Sequence, residues 1–161
     1  MNAFEIAKKM ETDAIRFYAE AAQKTQYPAG KKMFESVIKD EKRHLEMVTS
    51  LLKGMDVHME DVHPVKNIKT VFEDMRDEMM KKVKATTDEL EAFKIAMQME
   101  KEGLEFYRKL LSEATSEKEK DLYTKLAREE EQHYNIFANT YDFLNDTGNW
   151  FMWDEHSIVE G

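Results

Sequence analysis

Apolar residues recur every three or four positions along four segments of the chain, the spacing expected for one face of a helix. Near its middle, each apolar face is interrupted by a glutamate, which in the second and fourth segments is followed by a histidine. The pattern predicts four amphipathic helices with ionisable groups on their inward faces. The four faces are Phe4, Ala7, Glu11, Ala14, Tyr18 and Ala21; Phe34, Val37, Glu41, His44 and Val48; Phe93, Ala96, Glu100, Gly103, Tyr107 and Leu110; and Tyr123, Leu126, Glu130, His133 and Phe137.

Signals for helix starts and ends set the limits of these segments. Pro28 suits the first turn of the second helix, and Gly54 suits its C-terminal cap. The motifs TTDE and SEKE have the spacing of a capping box at the starts of the third and fourth helices. The predicted helices cover residues of about 2–26, 28–53, 87–114 and 116–145.

The connection between the second and third helices, residues 54–86, is far longer than the other two connections. It contains NIKTVFEDMRDEMMKKVKA, which is predicted to form a shorter helix of its own. Two tight helical hairpins joined by a long crossover are one standard arrangement of a four-helix bundle. We therefore predict an all-α bundle of two antiparallel hairpins over residues 1–145, followed by an aromatic C-terminal tail, residues 146–161.

The two hairpins are copies of each other at a distance of 89 residues. The stretches AKKMETDAIRFY (7–18) and AMQMEKEGLEFY (96–107) share Ala, Met, Glu, Phe and Tyr at equivalent places. Residues at equal distances from a turn lie side by side in an antiparallel hairpin, so the repeated polar residues are predicted to meet in one layer. The repeated pairs are Glu11 and Glu100, Glu41 and Glu130, and His44 and His133.

Composition narrows the class of protein. With 161 residues and 42% hydrophobic content, the chain is long enough for one compact domain with its own core. A formal net charge of −9 argues against nucleic acid and anionic membranes as partners. No apolar run approaches the ~20 residues of a membrane span, and no signal peptide is recognisable, so we expect a cytoplasmic protein. The chain contains no cysteine, so any metal must be held by glutamate, aspartate or histidine.

The six repeated residues fit a dinuclear metal site. Four buried carboxylates are costly without compensating charge, and two divalent cations would neutralise them while the imidazoles donate as neutral ligands. Glu41 and Glu130, beside the histidines, are placed to bridge the ions, while Glu11 and Glu100 would be terminal ligands. One histidine per ion leaves space for an exogenous ligand. This donor set suits Fe(II) or Mn(II), although Zn(II) would also bind well.

Two simpler interpretations compete with this one. A single Glu-x-x-His motif on a charged helix is usually solvated surface, but its duplication inside an internal repeat favours the metal site. Tyr18 and Tyr107, two helical turns from Glu11 and Glu100, are candidate catalytic residues that would line the pocket or hydrogen-bond the ligands. Aromatic residues on such a face are otherwise ordinary core.

At these residues the sequence resembles the rubrerythrin-like branch of the ferritin-like di-iron carboxylate proteins, in which two helices give Glu and two give Glu-x-x-His. The resemblance covers residues 2–145, and the stretches MEKEGLEFYRKLL and LAREEEQHYNIF carry it most clearly. It implies a ferritin-like bundle and the reduction of hydrogen peroxide or oxygen to water at a reduced di-iron centre, although some members handle iron itself. The iron ligands that it implies are Glu11, Glu41, His44, Glu100, Glu130 and His133.

The sequence departs from this family in two ways. Rubrerythrins proper carry a rubredoxin domain whose iron is held by four cysteines, and this chain has no cysteine. They also carry a glutamate, linked to peroxidase turnover, one turn after the third-helix ligand, where this sequence has Gly103.

Three classes of function therefore compete. The leading one is an oxidoreductase that reduces peroxide or oxygen with electrons from an external donor. The others are an iron-binding or ferroxidase-type protein without turnover and a structural bundle that holds a redox-inert metal. We also expect the protein to form a homodimer.

Two features outside the predicted helices carry weaker signals. His58 and His63, in HMEDVH, could form an accessory metal site but are more simply explained as surface. The aromatic residues of the tail, WFMW at 150–153, are expected to pack onto the bundle or onto a second subunit. His156 is expected to be incidental.

Overall fold

The computed structural model describes residues 2–52 and 86–147, which form four α-helices and no strand. The all-α four-helix bundle predicted from the sequence is confirmed for this part of the chain. Its helices are α1 (Ala3–Lys24), α2 (Pro28–Leu52), α3 (Thr87–Glu113) and α4 (Glu117–Thr147). The predicted crossover helix, Gly54, His58, His63 and the aromatic tail with His156 lie outside the described residues.

The helices pack mainly as two hairpins, α1 with α2 and α3 with α4. The hairpins meet along two narrower contacts, α1 with α3 and α2 with α4. Tyr18 lies beside Glu100 and Glu11 lies beside Tyr107, so α1 and α3 run antiparallel. The C-terminal end of α1 therefore lies at the same end of the bundle as the N-terminal end of α3.

The apolar core is divided into two clusters at different heights in the bundle. The larger cluster contains the stacked rings of Phe34 and Phe93, whose centroids are 5.1 Å apart, together with Phe137. The smaller cluster contains Leu122 and Leu126. Burial of these aromatic and aliphatic side chains is the main favourable contribution to folding. The polar interruptions of the four faces lie between the clusters.

The helix starts follow the chemistry of their sequences. The Asn2 side chain caps α1 by accepting a hydrogen bond from the Glu5 backbone N–H at 2.9 Å. Thr86 and Glu89 form the reciprocal hydrogen bonds of a capping box at the start of α3. The Ser116 hydroxyl accepts from the Glu119 backbone N–H at 3.1 Å before α4. Each cap satisfies a backbone donor that has no partner inside the helix.

Glu89 also joins the two hairpins at one end of the bundle. Its Oε1 accepts hydrogen bonds from the Thr25 hydroxyl at 2.6 Å and from the Gln26 backbone N–H at 3.0 Å. Its Oε2 accepts from the Thr86 backbone N–H at 2.9 Å. One buried carboxylate therefore fixes the first turn of α3 against the turn that connects α1 with α2.

Among the helices of the described part, none combines the length and the apolar content needed to span a membrane.

Replacing Glu89 with alanine is expected to lower the free energy of unfolding by about 2 to 3 kcal/mol, because it leaves three donors without their acceptor. Urea unfolding of the metal-free protein measures the loss. Glu91→Ala, at an exposed position of the same helix, is the control and should change stability by less than ~0.5 kcal/mol. Equal effects of the two substitutions would contradict the role assigned to Glu89.

Candidate metal centre

The six repeated glutamates and histidines lie together in the middle of the bundle. Each is at most 3% exposed, so all six are removed from bulk water. One helix of each hairpin contributes a single glutamate, and the other contributes a Glu-x-x-His pair. The contributions are Glu11 from α1, Glu41 and His44 from α2, Glu100 from α3, and Glu130 and His133 from α4.

These residues form two overlapping groups, each able to surround one metal ion. In each group, one potential ligand atom from every residue lies within 4.8 Å of the others. Glu41 and Glu130 belong to both groups, so their carboxylates lie between the two potential ion positions. The first group is Glu11, Glu41, His44 and Glu130, and the second is Glu41, Glu100, Glu130 and His133.

Both imidazole rings turn their Nδ1 atoms toward the shared carboxylates. His44 Nδ1 lies 3.1 Å from Glu130 Oε1 and 3.4 Å from Glu41 Oε2. His133 Nδ1 lies 3.2 Å from Glu41 Oε1 and 3.5 Å from Glu100 Oε2. The same nitrogen of each ring is therefore the one available as a metal ligand.

Three potential ligand atoms of the second group have no hydrogen-bond partner. These atoms are Glu41 Oε1, Glu100 Oε2 and His133 Nδ1. A buried polar atom without a partner costs about 1 to 3 kcal/mol. Because the three atoms face one another at 3.2 and 3.5 Å, a single cation between them would satisfy all three. The residues present therefore fit a bound metal.

Two further carboxylates, Asp40 and Glu129, contact the outer nitrogens of the imidazole rings. Asp40 Oδ2 lies 2.9 Å from His133 Nε2, and Glu129 Oε1 lies 3.3 Å from His44 Nε2. The Asp40 contact is a hydrogen bond, whereas His44 Nε2 makes no hydrogen bond and meets Glu129 only as a close charged neighbour. A carboxylate hydrogen-bonded to the outer nitrogen orients a metal-binding imidazole and makes it more basic. The sequence-based prediction missed both residues, although they are 89 residues apart and each precedes a predicted ligand.

Arg43 holds both outer carboxylates. Its Nη2 lies 2.9 Å from Asp40 Oδ1 and 2.5 Å from Glu129 Oε1, and its Nη1 donates to Glu129 Oε2 at 3.0 Å. Burial favours the neutral carboxyl groups, but the imidazoles and Arg43 outweigh it and lower the pKa of both Asp40 and Glu129. Both outer carboxylates are therefore ionised at neutral pH.

Tyr18 and Tyr107 hydrogen-bond the single glutamates across the contact between the hairpins. The Tyr18 hydroxyl donates to Glu100 Oε1, and the Tyr107 hydroxyl donates to Glu11 Oε1, both at 2.6 Å. Burial, reinforced by these carboxylates, raises the pKa of both tyrosines. The hydroxyls therefore remain protonated donors. Each tyrosine holds a glutamate of the opposite hairpin, because α1 and α3 run antiparallel.

In the absence of cations, the cluster holds protons. Burial, followed by the charge of Glu41, raises the pKa of Glu11 to about 8. Burial and the charges of neighbouring glutamates raise the pKa of Glu130 well above its usual range. Burial opposes protonation of His44 and His133, but the surrounding carboxylates outweigh it and raise both pKa values. These protons offset part of the negative charge, and cations would displace them.

A cavity of about 110 Å³ reaches the cluster between α1 and α3. Four of the six residues line it, and this volume accommodates molecules of the size of water or peroxide. The four lining glutamates are Glu11, Glu41, Glu100 and Glu130.

Gly103 forms the part of the cavity wall against Glu130. A Cβ atom at position 103 would lie 3.1 Å from Glu130 Oε2 and 3.3 Å from Glu130 Cδ. Both distances are shorter than most real Cβ contacts, so the glycine lets this shared carboxylate approach the backbone of α3 closely.

The chain belongs to the rubrerythrin family, whose sequence model matches residues 2–141. This match, together with the four-helix bundle described above, establishes the ferritin-like fold class expected from the sequence. Searches of curated proteins and of solved structures gave no match.

Replacing Gly103 with alanine is expected to weaken Co(II) binding roughly tenfold, because the shared carboxylate of Glu130 has to move to make room. In the metal-free variant, crowding against Glu130 opposes the better helix propensity of alanine, which is worth about 1 kcal/mol, so stability should change by less than ~1 kcal/mol. Equilibrium titration and urea unfolding of the same samples separate the two effects. Unchanged Co(II) affinity would show that the close approach does not matter for binding.

Cation binding is expected to release protons and to become tighter as the pH rises from about 6 to about 8. The direction follows from Glu11, whose raised pKa of about 8 means that a proton competes with the cation below that pH. Calorimetric Co(II) titrations in buffers of different ionisation enthalpy measure the released protons. Glu11→Gln should release fewer, and heats that do not depend on the buffer would contradict the prediction.

Proposed function

We propose that this protein is a di-iron carboxylate oxidoreductase that reduces hydrogen peroxide or oxygen. One observation carries the proposal: two ligand groups share Glu41 and Glu130 and include three buried ligand atoms without a hydrogen-bond partner. Membership of the rubrerythrin family supports iron as the bound metal.

The charge of the cluster supports two cations rather than one. Once cations have displaced the protons, the four carboxylates carry four negative charges, which two divalent cations would balance. A single cation would leave two of these charges to be offset by retained protons. The outer carboxylates add two charges, but Arg43 lies against both and offsets one of them. A set of carboxylates with one imidazole per ion suits Fe(II) or Mn(II), and Zn(II) is the principal competitor.

When bound, two ferrous ions would supply the two electrons that peroxide reduction requires and would stabilise anionic oxygen as Lewis acids. The chain supplies the surroundings of the reaction. Its two apolar clusters exclude bulk water above and below the layer, and the cavity between α1 and α3 gives a small oxidant access to the four lining glutamates. Tyr18 and Tyr107 keep Glu100 and Glu11 in place through short hydrogen bonds.

Reduction of one hydrogen peroxide to two waters consumes two electrons and two protons. Continued turnover therefore requires an external electron donor that restores the reduced state. We propose that such a donor acts at the surface of the bundle, since the cluster itself is buried.

Gly103 favours a second candidate function, iron binding or oxidation without repeated turnover. The family resemblance places a glutamate associated with peroxidase turnover at this position, and the cavity wall here has a glycine. A structural bundle that holds a redox-inert metal is the third possibility. Metal analysis of protein purified from its native source distinguishes this third possibility from the other two.

The protein loaded anaerobically with Fe(II) is expected to bind two ions per chain and to consume one peroxide per two ferrous ions. Stopped-flow near-ultraviolet absorbance follows the oxidation, and an added chemical reductant tests for repeated turnover. Glu41→Gln/Glu130→Gln should abolish the reaction, because both shared carboxylates are lost, whereas Glu46→Gln, an exposed change on α2, should not.

A loaded protein that peroxide and oxygen leave unoxidised would overturn the redox proposal. A single round of oxidation without turnover would instead support the iron-binding alternative.

A further inference from the structure

The residues that line the cavity between α1 and α3 follow the internal repeat of the chain. The lining includes pairs of residues that are 89 positions apart, one on each helix. The paired residues are Met10 and Met99, Asp13 and Glu102, and Ala14 and Gly103. The cavity therefore lies on the axis that relates the two hairpins.

Asp13 and Glu102 place two carboxylates at the surface end of this cavity. The side chain of Asp13 is 43% exposed, and Glu102 is also exposed. Neither residue belongs to the buried ligand groups. Their positions on facing helices put a negative charge on each side of the opening.

The deep end of the same cavity carries the unpartnered atoms of the candidate metal centre. Glu41 and Glu100 are each 1% exposed and line the cavity, and one oxygen of each has no hydrogen-bond partner. Solvent-accessible carboxylates therefore lie at one end of the opening, and buried carboxylates with an unsatisfied oxygen lie at the other. Between them the wall is formed by uncharged side chains, including Met10 and Met99.

We propose that this opening is the route by which divalent cations reach the buried cluster, and that Asp13 and Glu102 attract them to it. This inference rests on the proposed metal centre and adds the path by which cations enter it. Charged walls around a narrow opening raise the local concentration of oppositely charged ions and their rate of association. The two carboxylates act on the rate of loading, while the six buried residues determine how many ions are held.

Lys9 breaks the symmetry of the opening. Its ammonium group lies 2.6 Å from Asp13 Oδ2 and offsets the charge of that carboxylate. The equivalent residue on α3 is the uncharged Gln98, whose amide donates to Glu102 Oε1 at 3.1 Å. Lys9 therefore opposes cation attraction, and Lys9→Gln would give both sides of the opening the same neutral partner.

The experiment measures the rate of Co(II) binding by stopped-flow absorbance, in the metal-free 161-residue chain at low ionic strength. Asp13→Asn/Glu102→Gln is expected to slow binding about fivefold, and Lys9→Gln is expected to accelerate it about twofold. Both differences should nearly disappear at roughly 0.5 M salt, where surface charges are screened. The number of Co(II) ions bound at saturation should stay the same in all variants.

Glu35→Gln/Glu46→Gln is the matched control, because it removes two negative charges from α2 at positions that do not line the cavity. If Co(II) binding slows as much in this control as in Asp13→Asn/Glu102→Gln, the effect comes from net charge and the proposed route is wrong. Unchanged rates in Asp13→Asn/Glu102→Gln would also overturn it. If wild-type protein binds no Co(II), the proposed metal centre itself fails, and that result is distinguishable from failure of the route.

Discussion

Negative charge in a buried layer is the constraint on which the rest of this structure depends. Four carboxylates and two imidazoles lie between two apolar clusters, where an uncompensated charge costs on the order of several kcal/mol. Without cations, protons on groups such as Glu11 and Glu130 offset part of this charge. Bound cations would take the place of those protons. The same arrangement of side chains is therefore suited to both the metal-free and the metal-bound protein.

The polar layer also joins the two hairpins. Packing is extensive within each hairpin and narrower between them. The contacts between the hairpins include the hydrogen bonds of both tyrosines, of Arg43 with Glu129 and of His133 with Asp40. Tyr18 and Tyr107 connect α1 with α3, while Arg43 connects α2 with α4 through Glu129. Short polar contacts of fixed geometry thus hold together the helices whose relative position determines the distances between ligands. The contacts that fix the relative position of the hairpins therefore also fix the distances between the ligands.

The sequence was sufficient to predict the bundle, because the apolar spacing and the repeat at 89 residues are properties of the chain itself. The same repeat singled out the six residues that the structure brings together. Asp40 and Glu129 were not predicted, because a polar residue beside a ligand on a charged helix has the pattern of exposed surface. Their burial depends on the facing helix of the other hairpin. The partners of the tyrosines also depended on the relative direction of α1 and α3, which local patterns do not determine.

Because of the repeat, each residue of one hairpin can be compared with its equivalent in the other. The positions where the two hairpins differ are more informative about function than the positions where they agree. Arg43 serves both outer carboxylates, whereas the equivalent residue on α4 is Gln132, an uncharged side chain. Gly103 lets Glu130 approach α3 closely, and its equivalent on α1 carries a methyl group. The two ligand groups thus contain the same residue types in unlike surroundings. Two ions bound there would experience different fields, so the symmetry of the ligands does not extend to the chemistry that each ion can perform.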